Sequence, residues 1–184
     1  MVIENHSSRF WSIIKVSDGP FLYKKNIYNL VMIYNPKGVG EIELNTIILD
    51  LNGTLAVNGS IVEGAKERLI KLKELGYKIY LFTGDQRGNA AELTKEIDIT
   101  ILRATNTEEK ERLTLSLDFS KTVSIGNARI DIGTFKHTKL RIATIQAEGI
   151  HAEILKFVDI VVLSINDALD ILINPDSLNA TMRK

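Results

Sequence analysis

The stretch Ile47-Ile48-Leu49-Asp50-Leu51-Asn52-Gly53-Thr54 runs an apolar segment into a carboxylate and then turns at once. Consecutive apolar, partly β-branched residues without alternation predict a strand covered on both faces, as parallel strands are. A carboxylate at the carboxyl end of such a strand is well placed to attack phosphorus. Backbone N–H groups of the Gly53-Thr54 turn could cradle phosphate oxygens, and Thr54 could brace the loop. Taken alone, the same residues also fit an aspartate that merely starts a tight turn.

Outward from this stretch the chain reads as strands alternating with helices. Leu30–Tyr34 and Val39–Leu44, around Asn35-Pro36-Lys37-Gly38, predict a leading hairpin. After the strand at Thr46–Asp50, the pair Asn58-Gly59 within Leu55–Val62 predicts a type I′ hairpin flap beside Asp50. Helices are expected at about 64–75, 89–97, 108–117 and 166–173, the last stopped by Asn174-Pro175. Further strands are expected at 78–83, 100–103, 122–125, 140–145 and 159–163. Repeated βα units predict an α/β fold, a three-layer doubly wound parallel sheet with helices on both faces. Residues 31–184 are read as that domain. Residues 1–30 are read as an N-terminal extension, a flexible arm or a docking strand, since they show no clear period and break at Asp18-Gly19-Pro20.

Composition excludes several classes of function. Among 184 residues, 23 basic and 23 acidic side chains cancel without a long run of either sign, which argues against nucleic acid or an anionic membrane as partner. The absence of cysteine rules out disulfides, zinc thiolates and cysteine nucleophiles. His6, His137 and His151 lack metal-ligand spacing. No apolar run approaches the about 18 residues of a membrane span, and no signal pattern opens the chain, so a cytoplasmic location is expected.

In parallel α/β sheets, ligands bind beyond the carboxyl ends of the strands. Four positions line up there: Asp50; Thr83-Gly84-Asp85; Lys110, on the helix before the next strand; and Gly126-Asn127-Ala128-Arg129-Ile130-Asp131. Aspartyl-phosphate chemistry calls for such a set: a carboxylate nucleophile, a hydroxyl for phosphate oxygens, a lysine to offset charge, and oxygen ligands for a divalent metal. Bland readings stand beside these. Lys110 in Glu108-Glu109-Lys110-Glu111-Arg112 also reads as a solvated helix face, Asn127 as a helix cap, and Asp85 as a turn residue.

These motifs, in this order, resemble the haloacid-dehalogenase-like (HAD) superfamily of phosphatases and phosphotransferases. More narrowly, Asp50-Leu51-Asn52-Gly53-Thr54-Leu55-Ala56 with Ile125-Gly126-Asn127 is similar to the small group called soluble P-type ATPases. The segment Phe82–Ala91 is similar to the Thr-Gly-Asp hinge of the P-type phosphorylation domain. The resemblance spans about residues 31–184 and implies a HAD-like Rossmannoid fold. It implies Asp50 as nucleophile, Thr83 holding the phosphoryl group and Lys110 balancing charge. Gly53, Thr54 and Gly84 would join the phosphate-binding set. Magnesium (Mg2+) would be held by Asp50, the Asn52 carbonyl, Asn127 and Asp131.

Three departures matter. Asn52 stands where phosphatases of the superfamily usually carry an aspartate acid–base, and an amide can do neither job. Such help is typically worth about 10²–10⁴-fold, so alkyl phosphate esters should turn over slowly. Asn127 lowers the ligand charge, and Ala128 and Ile130 alter the last motif. Residues 55–82 leave room for a flap and one helix, not for an inserted nucleotide-binding domain, and residues 84–109 leave none for a second cap. A capless, open site suits a phosphorylated small molecule or a phosphoprotein, with a second copy of the chain as a candidate to close it. Two rivals remain at this level: a degenerate HAD fold serving as a binding or regulatory protein, and a receiver domain, disfavoured by the Asp-x-x-Gly-Thr loop and the flap.

Overall fold

The computed structural model describes residues 12–15, 22–26, 29–85 and 89–184. The break at Asp18-Gly19-Pro20 and the Gln86-Arg87-Gly88 part of the hinge-like segment lie outside them. Strands β1 (Ser12–Lys15), β2 (Leu22–Asn26), β3 (Asn29–Tyr34) and β4 (Ile42–Leu44) form an antiparallel sheet in that order. β3 and β4 are the leading hairpin, closed by Val39 N–H on the Pro36 carbonyl at 3.1 Å. The hairpin is anchored from below: the Tyr34 hydroxyl donates to the Leu172 carbonyl at 2.7 Å and hydrogen-bonds the Tyr77 hydroxyl at 2.7 Å.

Next come β5 (Thr46–Asp50), the flap strands β6 (Ala56–Val57) and β7 (Ser60–Ile61), helix α1 (Ala65–Glu74) and β8 (Lys78–Thr83). Asn58 and Gly59 have φ of 51° and 79°, the paired positive values a type I′ turn requires. Helix α2 (Asn89–Leu93), β9 (Thr100–Arg103), α3 (Thr107–Leu115) and β10 (Thr122–Gly126) follow. The chain then forms α4 (Ile132–Phe135), β11 (Leu140–Thr144), β12 (Ile160–Val162), α5 (Ile165–Ile173) and α6 (Pro175–Met182).

Three expectations change. The return strand of the leading hairpin is Ile42–Leu44 rather than 39–44, because Val39 belongs to the turn. The second helix is shorter than residues 89–97, ending at Leu93 and continuing as turns. Asn174-Pro175 does end α5, but it also starts α6: Pro175 occupies the first turn, where its missing N–H costs nothing, and the Asn174 side chain accepts from Asp176 N–H at 3.2 Å. Asn179 of α6 then accepts from Asn35 N–H at 2.8 Å, tying the last helix to the leading hairpin.

The central sheet is six-stranded and wholly parallel, ordered β12-β11-β10-β5-β8-β9. After β9 the chain crosses back to the other side of β5 to lay down β10. The topological switch point, where doubly wound sheets open a crevice, therefore lies between β5 and β10. Because side chains alternate along a strand, β5 serves two faces. Ile47 and Leu49 enter the main core with Leu69 and Leu72 of α1 and Leu169 and Leu172 of α5. Ile48 packs on the opposite face with Phe82, against Leu113 of α3. Asp50 shares the parity of Ile48 and so faces α3.

Candidate active site

The register sets Leu49 level with Ile125 and Asp50 level with Phe82, so the ends of β5, β8 and β10 share one edge. Thr83 and Asn127 each lie just past that edge. Both are buried, as are Asp50 and Asp131.

Lys110 arrives from α3. Asn106 caps that helix by accepting from Glu109 N–H at 2.8 Å, and Lys110 projects from the buried side together with Thr114. The approach of α4 to this first turn needs a glycine: a Cβ on Gly133 would stand 2.1 Å from the Thr107 carbonyl oxygen. With the two helices this close, Lys110 Nζ donates to Asp50 Oδ1 at 2.6 Å and to Asp131 Oδ1 at 2.5 Å. Lys110 is only 1% exposed, so the solvated-face reading of its acidic surroundings does not hold.

Asp131 is fixed from its other side, where Oδ2 accepts the N–H groups of Asn127 at 2.9 Å and Ala128 at 2.8 Å. The loop therefore closes despite Ala128 and Ile130. Burial, then the neighbouring Asp131 charge, raise the Asp50 pKa from 3.8 to about 7, with Lys110 pulling the other way. For Lys110, burial works against the charge, but Asp131 and Asp50 outweigh it and hold the ammonium above the ordinary lysine value. The cluster is a cation between two carboxylates, only partly neutralised.

The Asp50 turn differs from the expected cradle. Gly53 N–H donates to the Ala56 carbonyl of the flap at 2.8 Å, and Thr54 N–H to the Leu51 carbonyl within the turn itself at 3.3 Å, so both donors are taken up locally. Thr54 does brace the loop: its hydroxyl donates to Asn127 Oδ1 at 3.2 Å, and Asn127 Nδ2 donates to the Gly149 carbonyl at 3.0 Å. The Asn52 side chain is exposed. Thr83 Oγ1 accepts from Asp85 N–H at 3.1 Å, and Asp85 in turn accepts from Ala90 N–H at 2.6 Å, which makes it a cap for α2. Gly84 is exposed beside them.

Among the described residues, no group of three or more His, Cys, Asp or Glu side chains could hold a metal ion. The oxygen donors at the sheet edge are two carboxylates, Asp50 and Asp131, with the Asn52 carbonyl and the Asn127 amide nearby. That set fits magnesium, which takes one or two carboxylates and keeps several waters or phosphate oxygens.

Sequence reasoning missed Gln146. Its amide donates to the Gly53 carbonyl at 3.4 Å and to the Thr54 carbonyl, and its Oε1 accepts from Ile165 N–H at 2.7 Å. It ties the Asp50 turn to the start of α5. Gln146 follows a strand end, the same signal that singled out Thr83 and Asn127.

This wholly parallel sheet, with a flap directly after β5 and, among the described residues, no inserted cap, has the fold of HAD superfamily hydrolases. The cobalt-bound deoxy-D-mannose-octulosonate 8-phosphate phosphatase of Haemophilus influenzae superposes with a TM-score of 0.63 at 13% identity, covering 77% of this chain and 94% of that one. The 3-deoxy-D-manno-octulosonate 8-phosphate phosphatase of Moraxella catarrhalis, in complex with magnesium, phosphate and KDO, gives 0.61 at 16% identity, covering 76% and 94%. In sequence, the chain is similar to a soluble P-type ATPase-like phosphatase of Methanocaldococcus jannaschii, 26% identical over 133 residues. That match takes in 70% of this chain and 49% of the relative, about half its length. No protein-family model matches the chain. Among the described residues, no helix is long and apolar enough to cross a membrane.

Proposed function

We propose that the chain is a magnesium-dependent, capless phosphohydrolase or phosphotransferase acting through a phospho-aspartate at Asp50. The observation that carries this reading is the buried contact of Lys110 Nζ with both Asp50 and Asp131 at the switch point of the sheet. Burying three ionisable groups is costly, and a lone structural role would be served as well by packed hydrocarbon.

One carboxylate oxygen of Asp50 attacks phosphorus while the bond to the leaving group breaks, and the leaving group departs with the electron pair. Lys110 offsets charge on the transferring group. The Thr83 hydroxyl, accepting from Asp85 N–H, keeps its own proton for a phosphoryl oxygen. A divalent ion held by Asp50, Asp131 and the Asn52 carbonyl, with Asn127 alongside, would neutralise phosphate charge. Water, or another acceptor, then takes the phosphoryl group from Asp50 and restores the carboxylate. The exposed amide of Asn52 can neither protonate a leaving group nor take a proton from water. The site therefore favours good leaving groups, such as acyl or aryl phosphates, on a phosphorylated small molecule or phosphoprotein.

The test is turnover of an aryl phosphate with and without magnesium. Asp50→Asn should abolish it while calorimetry still detects magnesium binding. Full activity in that variant would remove Asp50 as nucleophile. Absence of both magnesium binding and any phosphate adduct in the wild type would favour a binding or regulatory protein built on the same fold.

A further inference from the structure

Beneath the Asp50–Lys110–Asp131 cluster, the hydrogen-bond accounting does not close. A lysine ammonium carries three donors. Two of those on Lys110 go to Asp50 and Asp131, and the third has no partner among the described residues. Thr134, on α4, is 3% exposed, and its Oγ1 also lacks a hydrogen-bond partner among the described residues. Orphaned buried polar atoms are uncommon enough to need a cause.

Lys110 and Thr134 both line one small cavity, together with Asp50, Ser124, Asp131 and five apolar residues, Phe82 and Phe135 among them. At about 10 Å³ it matches the room that one water needs. Neighbouring hydroxyls do not meet the need: Ser124 and Thr138 bond each other at 2.5 Å, and Thr138 also reaches the Thr134 carbonyl rather than its hydroxyl.

We propose that this cavity is a binding site for a single buried water, which accepts the third Lys110 Nζ proton and bonds Thr134 Oγ1. Thr134 is then a positioning residue: through that water it holds the ammonium in place between the two carboxylates. The water site stands on geometry alone; only its kinetic consequence rests on the phospho-aspartate reading.

The test compares Thr134→Val, of similar shape, with Thr134→Ser, which restores the hydroxyl. High-resolution crystal structures should show one water within hydrogen-bond distance of Lys110 Nζ and residue 134 in the wild type and the serine variant. In the valine variant the water should be lost and Lys110 Nζ displaced from one carboxylate. Phosphoenzyme formation should slow by about 10- to 100-fold in the valine variant, the usual range for partners that orient site groups, with KM little changed and the serine variant near wild type. A dry cavity in the wild type would overturn the site. Unmoved Lys110, or wild-type kcat in the valine variant, would overturn the positioning role. If the wild type forms no phosphoenzyme, the phosphatase reading fails, while the crystallographic comparison still decides the water.

Discussion

The two faces of β5 are built on opposite principles. On one, Ile47 and Leu49 meet α1 and α5 in a large cluster made of hydrocarbon. On the other, Ile48 and Phe82 head a small cluster, and beyond it lie Asp50, Lys110, Ser124, Asp131 and Thr134, all buried. Burial of apolar area stabilises by roughly 25 cal/mol per Å², whereas ionised groups must offset their own desolvation before contributing anything. One face therefore supplies stability without specificity. The other holds charges in fixed places and relies on its neighbour to remain folded.

That contrast can be broken from either side. The largest effect should come from supplying what the polar face lacks: Asn52→Asp should speed hydrolysis of alkyl phosphates by up to about 10²–10⁴-fold, measured by phosphate release, with little change in stability. An unchanged rate would mean that proton transfer is not the limiting deficit. Lys110→Ala leaves Asp50 and Asp131 buried without their cation; it should cost about 3–5 kcal/mol in urea unfolding together with turnover. On the hydrocarbon face, Leu169→Ala should cost about 2–5 kcal/mol, yet leave magnesium binding and KM intact under folded conditions. Altered KM there would show that the two faces are coupled more tightly than the packing suggests.

The remaining effect is in pH. The folded chain holds a proton on Asp50 that the unfolded chain releases, since the pKa rises from 3.8 to about 7. This group's stabilisation is full below the unfolded value and is lost as pH rises through the folded one. Without divalent metal, stability should therefore decline between about pH 4 and 7, and Asp50→Asn should flatten that slope in denaturant titrations. A rising slope that the variant leaves unchanged would contradict the raised value.

Legibility followed the same division. Thr46–Asp50 and Lys78–Thr83 were readable to the residue because covered parallel strands are short apolar runs bounded by turn chemistry, and the edge strand Thr100–Arg103 was readable from its place in the alternation of strands and helices. The flap was readable from Asn58-Gly59. Helix α6 was not, since Asn174-Pro175 reads as the stop of α5, although the same pair also starts a helix, with Asn174 as its cap and Pro175 in its first turn. Strands β1 and β2 carry no usable period; β2 is a strand by pairing with β3, and β1 by pairing with β2. Gln146 and Thr134 gave no composition signal, because neither residue type is unusual and their roles exist only through distant partners.

The order of Asp50, Thr83, Lys110 and Asp131 along the chain, with apolar strands before them, by itself determined the fold class and nominated the site. Local chemistry and periodicity are written residue by residue, so they can be read without neighbours. Which way Lys110 faces, where the Gly53 and Thr54 donors go and what Thr134 lines were decided only by tertiary structure. Each depends on how closely α3, α4 and the flap approach the end of β5, a distance set by packing among residues far apart in sequence.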